Sequence, residues 1–100
     1  MFRRGRMIWS CEINYSGWED GIHHHHFFIR DDTRPSEQAV VDCYNASYYD
    51  PDDWEVNEFI APLEDDKYSN WQAIEPNGYT YENVRIIIKP LEVKELDGSN

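Results

Sequence analysis

The sequence predicts an α+β fold: an antiparallel β-sheet of about four strands, in the order hairpin–helix–strand–strand, with one main helix packed on one face. Three observations lead there. Residues 7–15, MIWSCEINY, alternate apolar and polar side chains, the period of a half-buried strand. Residues 22–30, IHHHHFFIR, are rich in aromatic and β-branched side chains, lack a helix cap and follow a Gly-punctuated polar stretch, so they read as the second strand of a hairpin. Residues 35–48 then change to the period of a helix.

Each element follows from its residues. Met7, Trp9, Cys11, Ile13 and Tyr15 share one face of the first strand; Ile8, Ser10, Glu12 and Asn14 share the other. SGWEDG, 16–21, is the joining loop. Thr33 can cap the helix, Pro35 suits its first turn and Glu37 its positive end. Ala39, Val40, Cys43, Tyr44 and Ser47 then form one face of a helix from Pro35 to Tyr48.

Residues 50–61 admit two readings. DPDD is a good helix start, with Val56, Phe59, Ile60 and Leu63 at helical spacing. Trp54, Val56 and Ile60 equally form one face of a strand, and a returning strand completes a two-layer fold, which favours strand. Pro62 ends either element. Residues 62–80 read as loop, and 79–93 as the last strand, with Pro90 at a bulge or an edge. In domain terms, 1–6 is a flexible basic arm, 7–96 a single α+β domain and 97–100 a polar tail.

A chain of 100 residues buries about 60–70% of the surface its unfolded form exposes. Four Trp, seven Tyr and four Phe supply core material that a disordered acidic chain lacks. The net charge of −11 repels nucleic acid and anionic membrane and steers the chain towards basic surfaces. No stretch is apolar enough to span a bilayer, and the basic start has no apolar run behind it. A cytoplasmic location with Cys11 and Cys43 as reduced, partly buried thiols is therefore expected, a single disulfide remaining the alternative. The charge is regional. Residues 1–30 hold four basic and three acidic side chains, and 31–100 hold five and seventeen. From Asp42 to Asp66 there are nine acidic residues and no Lys or Arg.

The four histidines raise the question of a metal. On a strand, His23 and His25 share one face and His24 and His26 the other, so two imidazoles at most converge on one ion. Zinc would need further ligands from Cys11, Glu12, Glu19 or Asp20, and none stands in a recognised metal spacing. No cofactor is expected, with zinc on this run as the alternative. Enzymatic readings have less. Paired carboxylates such as Asp31/Asp32, Asp52/Asp53 and Asp65/Asp66 point apart or into solvent, Cys43 lies on the apolar helix face, and no serine sits in a nucleophile elbow. The chain is expected not to be an enzyme.

The acidic segment is the more informative feature. Its carboxylates interleave with Tyr44, Tyr48, Tyr49, Trp54 and Phe59. Such a stretch is ordinarily a solvated face that keeps a small protein soluble. It also suits a recognition surface, because aromatics anchor interfaces and carboxylates complement Arg and Lys. Side chains on one strand face repeat about every 6.8 Å, a spacing comparable to that of phosphates along DNA, so carboxylates there can occupy a basic groove in DNA's place. The candidate partner-binding residues are Asp50, Asp52, Asp53, Glu55, Glu58, Glu64, Asp65 and Asp66, with Tyr48, Tyr49 and Trp54 as anchors.

In size, in acidity concentrated at 42–66 and in aromatic content, the chain resembles the small acidic proteins that phages encode against host defences, of the anti-CRISPR and DNA-mimic anti-restriction type. The resemblance is of general type and matches no motif. It implies a non-enzymatic inhibitor in the host cytoplasm that blocks a basic, nucleic-acid-handling protein without itself binding nucleic acid or membrane. The basic N-terminal third departs from a uniformly acidic mimic and favours a local acidic patch. A homodimer is compatible with this reading. The alternatives are a metal-binding module on His23–His26 and a structural or assembly subunit of a phage particle.

Overall fold

The computed structural model of the protein describes residues 7–16, 21–50, 52, 58–64, 69–75 and 78–91. The elements run β1 (Ile8–Ser16), β2 (Ile22–Arg30), α1 (Glu37–Tyr48), β3 (Phe59–Pro62), β4 (Trp71–Ile74), β5 (Thr80–Tyr81) and β6 (Arg85–Pro90). The α+β class is as expected, and so is the opening hairpin. β1 and β2 pair antiparallel without a break from Ile8 opposite Arg30 to Ser16 opposite Ile22. The alternation in β1 becomes burial of Trp9, Cys11, Ile13 and Tyr15. Gly21 enters β2 at φ +83°, a backbone conformation in which only glycine is unstrained.

The single four-stranded sheet is corrected. The strands form two three-stranded sheets, ordered β2–β1–β6 and β3–β4–β5. Two features account for the difference. β4 lies inside the stretch expected to be loop: four residues are too short to display a period, yet Trp71 and Ala73 are buried. The expected final strand at 79–93 is divided, β5 pairing with β4 and β6 with β1. Between them, the Asn83 carboxamide accepts from the Ser16 backbone N–H at 3.3 Å and donates to the Ser16 carbonyl at 3.3 Å and hydroxyl at 2.6 Å. Extending the register that sets Asn14 opposite Arg85 puts Asn83 opposite Ser16, so a side-chain amide continues the ladder where the backbone leaves it.

The helix starts later than expected. Ser36, not Thr33, is the N-cap, its hydroxyl accepting from the Ala39 N–H at 3.0 Å. Pro35 precedes the cap and is buried. The buried face comprises Val40, Val41 and Tyr44, with Cys43 packed against the core; Ala39 and Ser47 are exposed, so the face is rotated from the expected one. In residues 50–61 the strand reading holds at β3, and residues 51 and 53–57 lie outside the described residues. The arm at 1–6, most of the 16–21 loop and the tail at 97–100 also lie outside them.

α1 is joined to both strands of the second sheet's outer half. The Glu37 carboxylate accepts from the Trp71 indole N–H at 2.8 Å. At the other end, the Asn45 amide donates to the Ile60 carbonyl at 2.9 Å and accepts from the Ile60 N–H at 3.0 Å. Both sheets and the helix feed one core, in which Ile13, Val40, Tyr44, Ile60 and Ala73 are almost wholly enclosed. Cys11 is buried and Cys43 half-buried, both free thiols, with burial pushing the Cys11 thiol up before the nearby Cys43 adds to it. Among the described residues, no helix is long and apolar enough to cross a membrane.

The cap gives a direct check on the helix boundary. Ser36→Ala is expected to cost about 1 kcal/mol and to lower the melting temperature by about 4–8 °C. Thr33→Ala, which removes no cap, is expected to shift it by less than half as much as Ser36→Ala does, with thermal circular dichroism as the readout.

Candidate functional site

The acidic segment divides into an outward part and an inward part. The outward part begins at the end of α1. Tyr48 is 41% exposed, its ring 5.7 Å from Tyr44 and 5.8 Å from Phe27. Tyr49 meets Phe59 edge to face at 5.0 Å, and Phe59 is itself 37% exposed. Asp50 follows directly. Its carboxylate accepts from the Asp52 N–H at 2.9 Å, an Asx turn that leaves both carboxylates exposed. Tyr49 and Phe59 thus form an exposed aromatic pair next to Asp50 and Asp52 in the chain, while Tyr48 packs separately on Tyr44 and Phe27. The Asn45–Ile60 pairing creates the Tyr49–Phe59 contact, because it brings the start of β3 against the last turn of α1.

The other expected residues are placed differently. Glu64 is exposed, but it follows β3 and lies five residues beyond Phe59, roughly 16 Å along an extended chain. Glu58 turns inward, its side chain only 15% exposed. Asp53, Trp54, Glu55, Asp65 and Asp66 lie outside the described residues.

Glu58 is the centre of the inward part. The Tyr15 hydroxyl donates to its carboxylate, and the Tyr44 hydroxyl donates to its backbone carbonyl at 3.0 Å. His25 Nε2 stands 3.2 Å from the Tyr15 oxygen and 3.5 Å from the Tyr44 oxygen. Each hydroxyl has one proton, and both protons point to Glu58. Nε2 of a neutral His25 is therefore the protonated nitrogen, donating towards the two tyrosine oxygens. His23 Nδ1 lies 4.0 Å from the Glu58 carboxylate, and its ring stacks on Tyr15 at 4.9 Å and on Tyr81 at 5.8 Å. Its Nε2 is buried and has no hydrogen-bond partner among the described residues.

Burial and then the Glu58 hydrogen bond push the Tyr15 hydroxyl far up, and burial does the same to Tyr44. Neither is a nucleophile near neutral pH. Burial lowers His25 despite the opposing pull of Glu58, with His23 and His24 adding to the lowering. Most of the donors and acceptors here are spent on one another, which suits holding β1, β2, α1 and the approach to β3 together.

The histidine run is split as its alternation requires. His23 and His25 face inward, into this cluster. His24 and His26 are exposed on the other face, their rings 6.2 Å apart, with His26 Nε2 2.7 Å from the Ser10 hydroxyl and its ring 4.9 Å from Phe28. Among the described residues, no group of three or more His, Cys, Asp and Glu is arranged to hold a metal ion. The expected zinc ligands Glu19 and Asp20 lie outside the described residues.

Sequence reasoning missed the roles of Tyr15, Asn45 and Glu58. A signal was present for the tyrosines: Tyr15 and Tyr44 fall at core positions, and a buried hydroxyl requires an acceptor. Comparison of the chain with family models, with curated proteins and with solved structures returns no match.

The cluster makes folding sensitive to acid. His25 titrates lower in the folded chain than its ordinary 6.5, so the folded state binds fewer protons there than the unfolded one. Its contribution is fully present above pH 6.5 and declines as the pH falls below it. The urea midpoint is expected to drop between pH 7.5 and 5.5 in the wild type and to drop less in His25→Phe. Equal declines in the two proteins would contradict this assignment.

Proposed function

We propose that the protein is a non-enzymatic binding protein whose acidic, aromatic surface occupies a basic, nucleic-acid-handling surface on a partner. The observation that carries this reading is the Tyr49–Phe59 ring pair, with the 41% exposed Tyr48 and the exposed Asp50 and Asp52 on either side of Tyr49 in the chain. Large rigid rings supply contact area at small entropic cost, and carboxylates at the rim select cationic partners and speed encounter. A chain of net charge −11 adds long-range attraction to such a surface. Glu58 is engaged inside the fold, so the recognition residues are Asp50, Asp52, Tyr48, Tyr49 and Phe59, together with Asp53, Trp54, Glu55, Glu64, Asp65 and Asp66 from the same acidic run. The type of partner comes from the resemblance to phage-encoded inhibitors and from the charge.

The test is affinity capture from host lysate at about 0.05 M and about 0.5 M salt, a range over which the Debye length shrinks about threefold. The expected result is a basic protein retained at low salt, released at high salt and displaced by duplex DNA. Reversal to Lys at Asp50, Asp52, Asp53, Asp65 and Asp66 is expected to weaken binding by about a hundredfold or more. Retention that neither salt, DNA nor charge reversal changes would sink the reading.

A further inference from the structure

The long strand β2 has one side paired with β1, and its other edge is open among the described residues. Which backbone groups face that open edge follows from the hydrogen bonds. The Asp31 N–H donates to the Met7 carbonyl at 3.0 Å, so the odd-numbered residues of β2 bond to β1. The Leu91 N–H donates to the Ile8 carbonyl at 2.8 Å, which assigns the even residues of β1 to β6 and agrees with that phase. The N–H and C=O groups of Ile22, His24, His26, Phe28 and Arg30 therefore point outward from the sheet.

Nothing in this strand protects the edge. It has no Pro, no Lys and no acidic residue, and its register carries no bulge over nine residues. By contrast, the Asn45 amide covers the outer edge of β3. Two of the most exposed apolar side chains, Ile22 at 79% and Phe28 at 54%, both lie on β2. They sit at outward-facing positions near opposite ends of the strand.

We propose that β2 pairs with β2 of a second copy of this chain, joining two three-stranded sheets into one across a two-fold axis. The strand is complementary to itself in one register that uses all nine residues. His26 faces His26 of the second copy, His24 faces Phe28, and Ile22 faces Arg30. In that register every outward N–H meets an outward C=O, because an even residue always faces an even residue. Phe28 stacks on an imidazole. Charge favours the arrangement as well. In a chain of net −11, β2 itself carries no carboxylate. Two copies thus meet without bringing their acidic segments' residues into the pairing. The pairing does not depend on the proposed partner of the acidic surface.

His26→Pro is the discriminating variant. It removes an outward N–H and the imidazole's contacts with Ser10 and Phe28, but no backbone bond to β1, so the ladder of the hairpin stays and edge pairing is blocked. Light scattering after size exclusion at about 100 µM protein and neutral pH is expected to give twice 12.0 kDa for the wild type and 12.0 kDa for His26→Pro. Phe28→Lys, at an exposed position, is expected to give the monomer mass also. In hydrogen exchange on the wild type, the amides of His24, His26 and Phe28 are expected to be protected at high concentration and to lose that protection on dilution. A monomeric wild type, a dimer that both variants leave intact, or outward amides that exchange freely in the dimer would each overturn the proposal. Masses above two copies would overturn it too, since a two-fold pairing closes on itself.

Discussion

The Asn45 carboxamide is the interaction on which the arrangement of the second sheet depends. The Leu63 N–H donates to the Asn70 carbonyl, so the odd residues of β3 bond to β4 and Ile60 faces outward. Ile60 is also almost completely buried, so its N–H and C=O can reach neither a strand nor water without help. The Asn45 amide presents one donor and one acceptor at 2.9 and 3.0 Å and satisfies both. A buried group left unmade costs about 1–3 kcal/mol, and two of them amount to a large part of the roughly 5–15 kcal/mol that holds a domain folded. Asn83 makes the same substitution at Ser16. Two asparagines thus extend ladders where the backbone departs, and each stands where one sheet gives way to another element.

From this constraint the outward surface follows. β3 cannot move from the C-terminal turn of α1 without unpairing Ile60, so Phe59 is held against Tyr49, which Asp50 follows in the chain. The same placement leaves Glu58, one residue before β3, pointing at Tyr15 and Tyr44. One acidic run therefore serves two purposes by its position relative to the clamp. Glu58 is consumed within the fold, and Asp50 and Asp52 remain on the surface.

Much of the first sheet and the helix was legible in the sequence. The alternation of residues 7–15 and the aromatic run at 22–30 gave the hairpin within a residue at each end. The helix was placed correctly at its C-terminus and two residues early at its start, because Thr33 and Ser36 are both competent caps. β4 was illegible for a physical reason: WQAI owes its strand state to burial of Trp71 and Ala73 and to the Glu37 bond, and neither is a local property. Similarly, nothing in a run of nine carboxylates distinguishes Glu58 from its neighbours. Only the buried tyrosine hydroxyls demanded an acceptor, and the sequence did not say which. The alternation of the histidine run specifies two pairs on two faces, but nothing local specifies that one pair is packed against tyrosines.

The most direct test of the central role given to Asn45 is hydrogen exchange at the Ile60 amide. On the outer side of β3, where no strand pairs among the described residues, this amide should exchange quickly unless the side-chain clamp holds it. The amide is expected to be as protected as Ala73 in the wild type, and to lose that protection in Asn45→Leu while the β1 amides keep theirs. An Ile60 amide that exchanges freely in the wild type, or one that stays protected without the Asn45 amide, would contradict it.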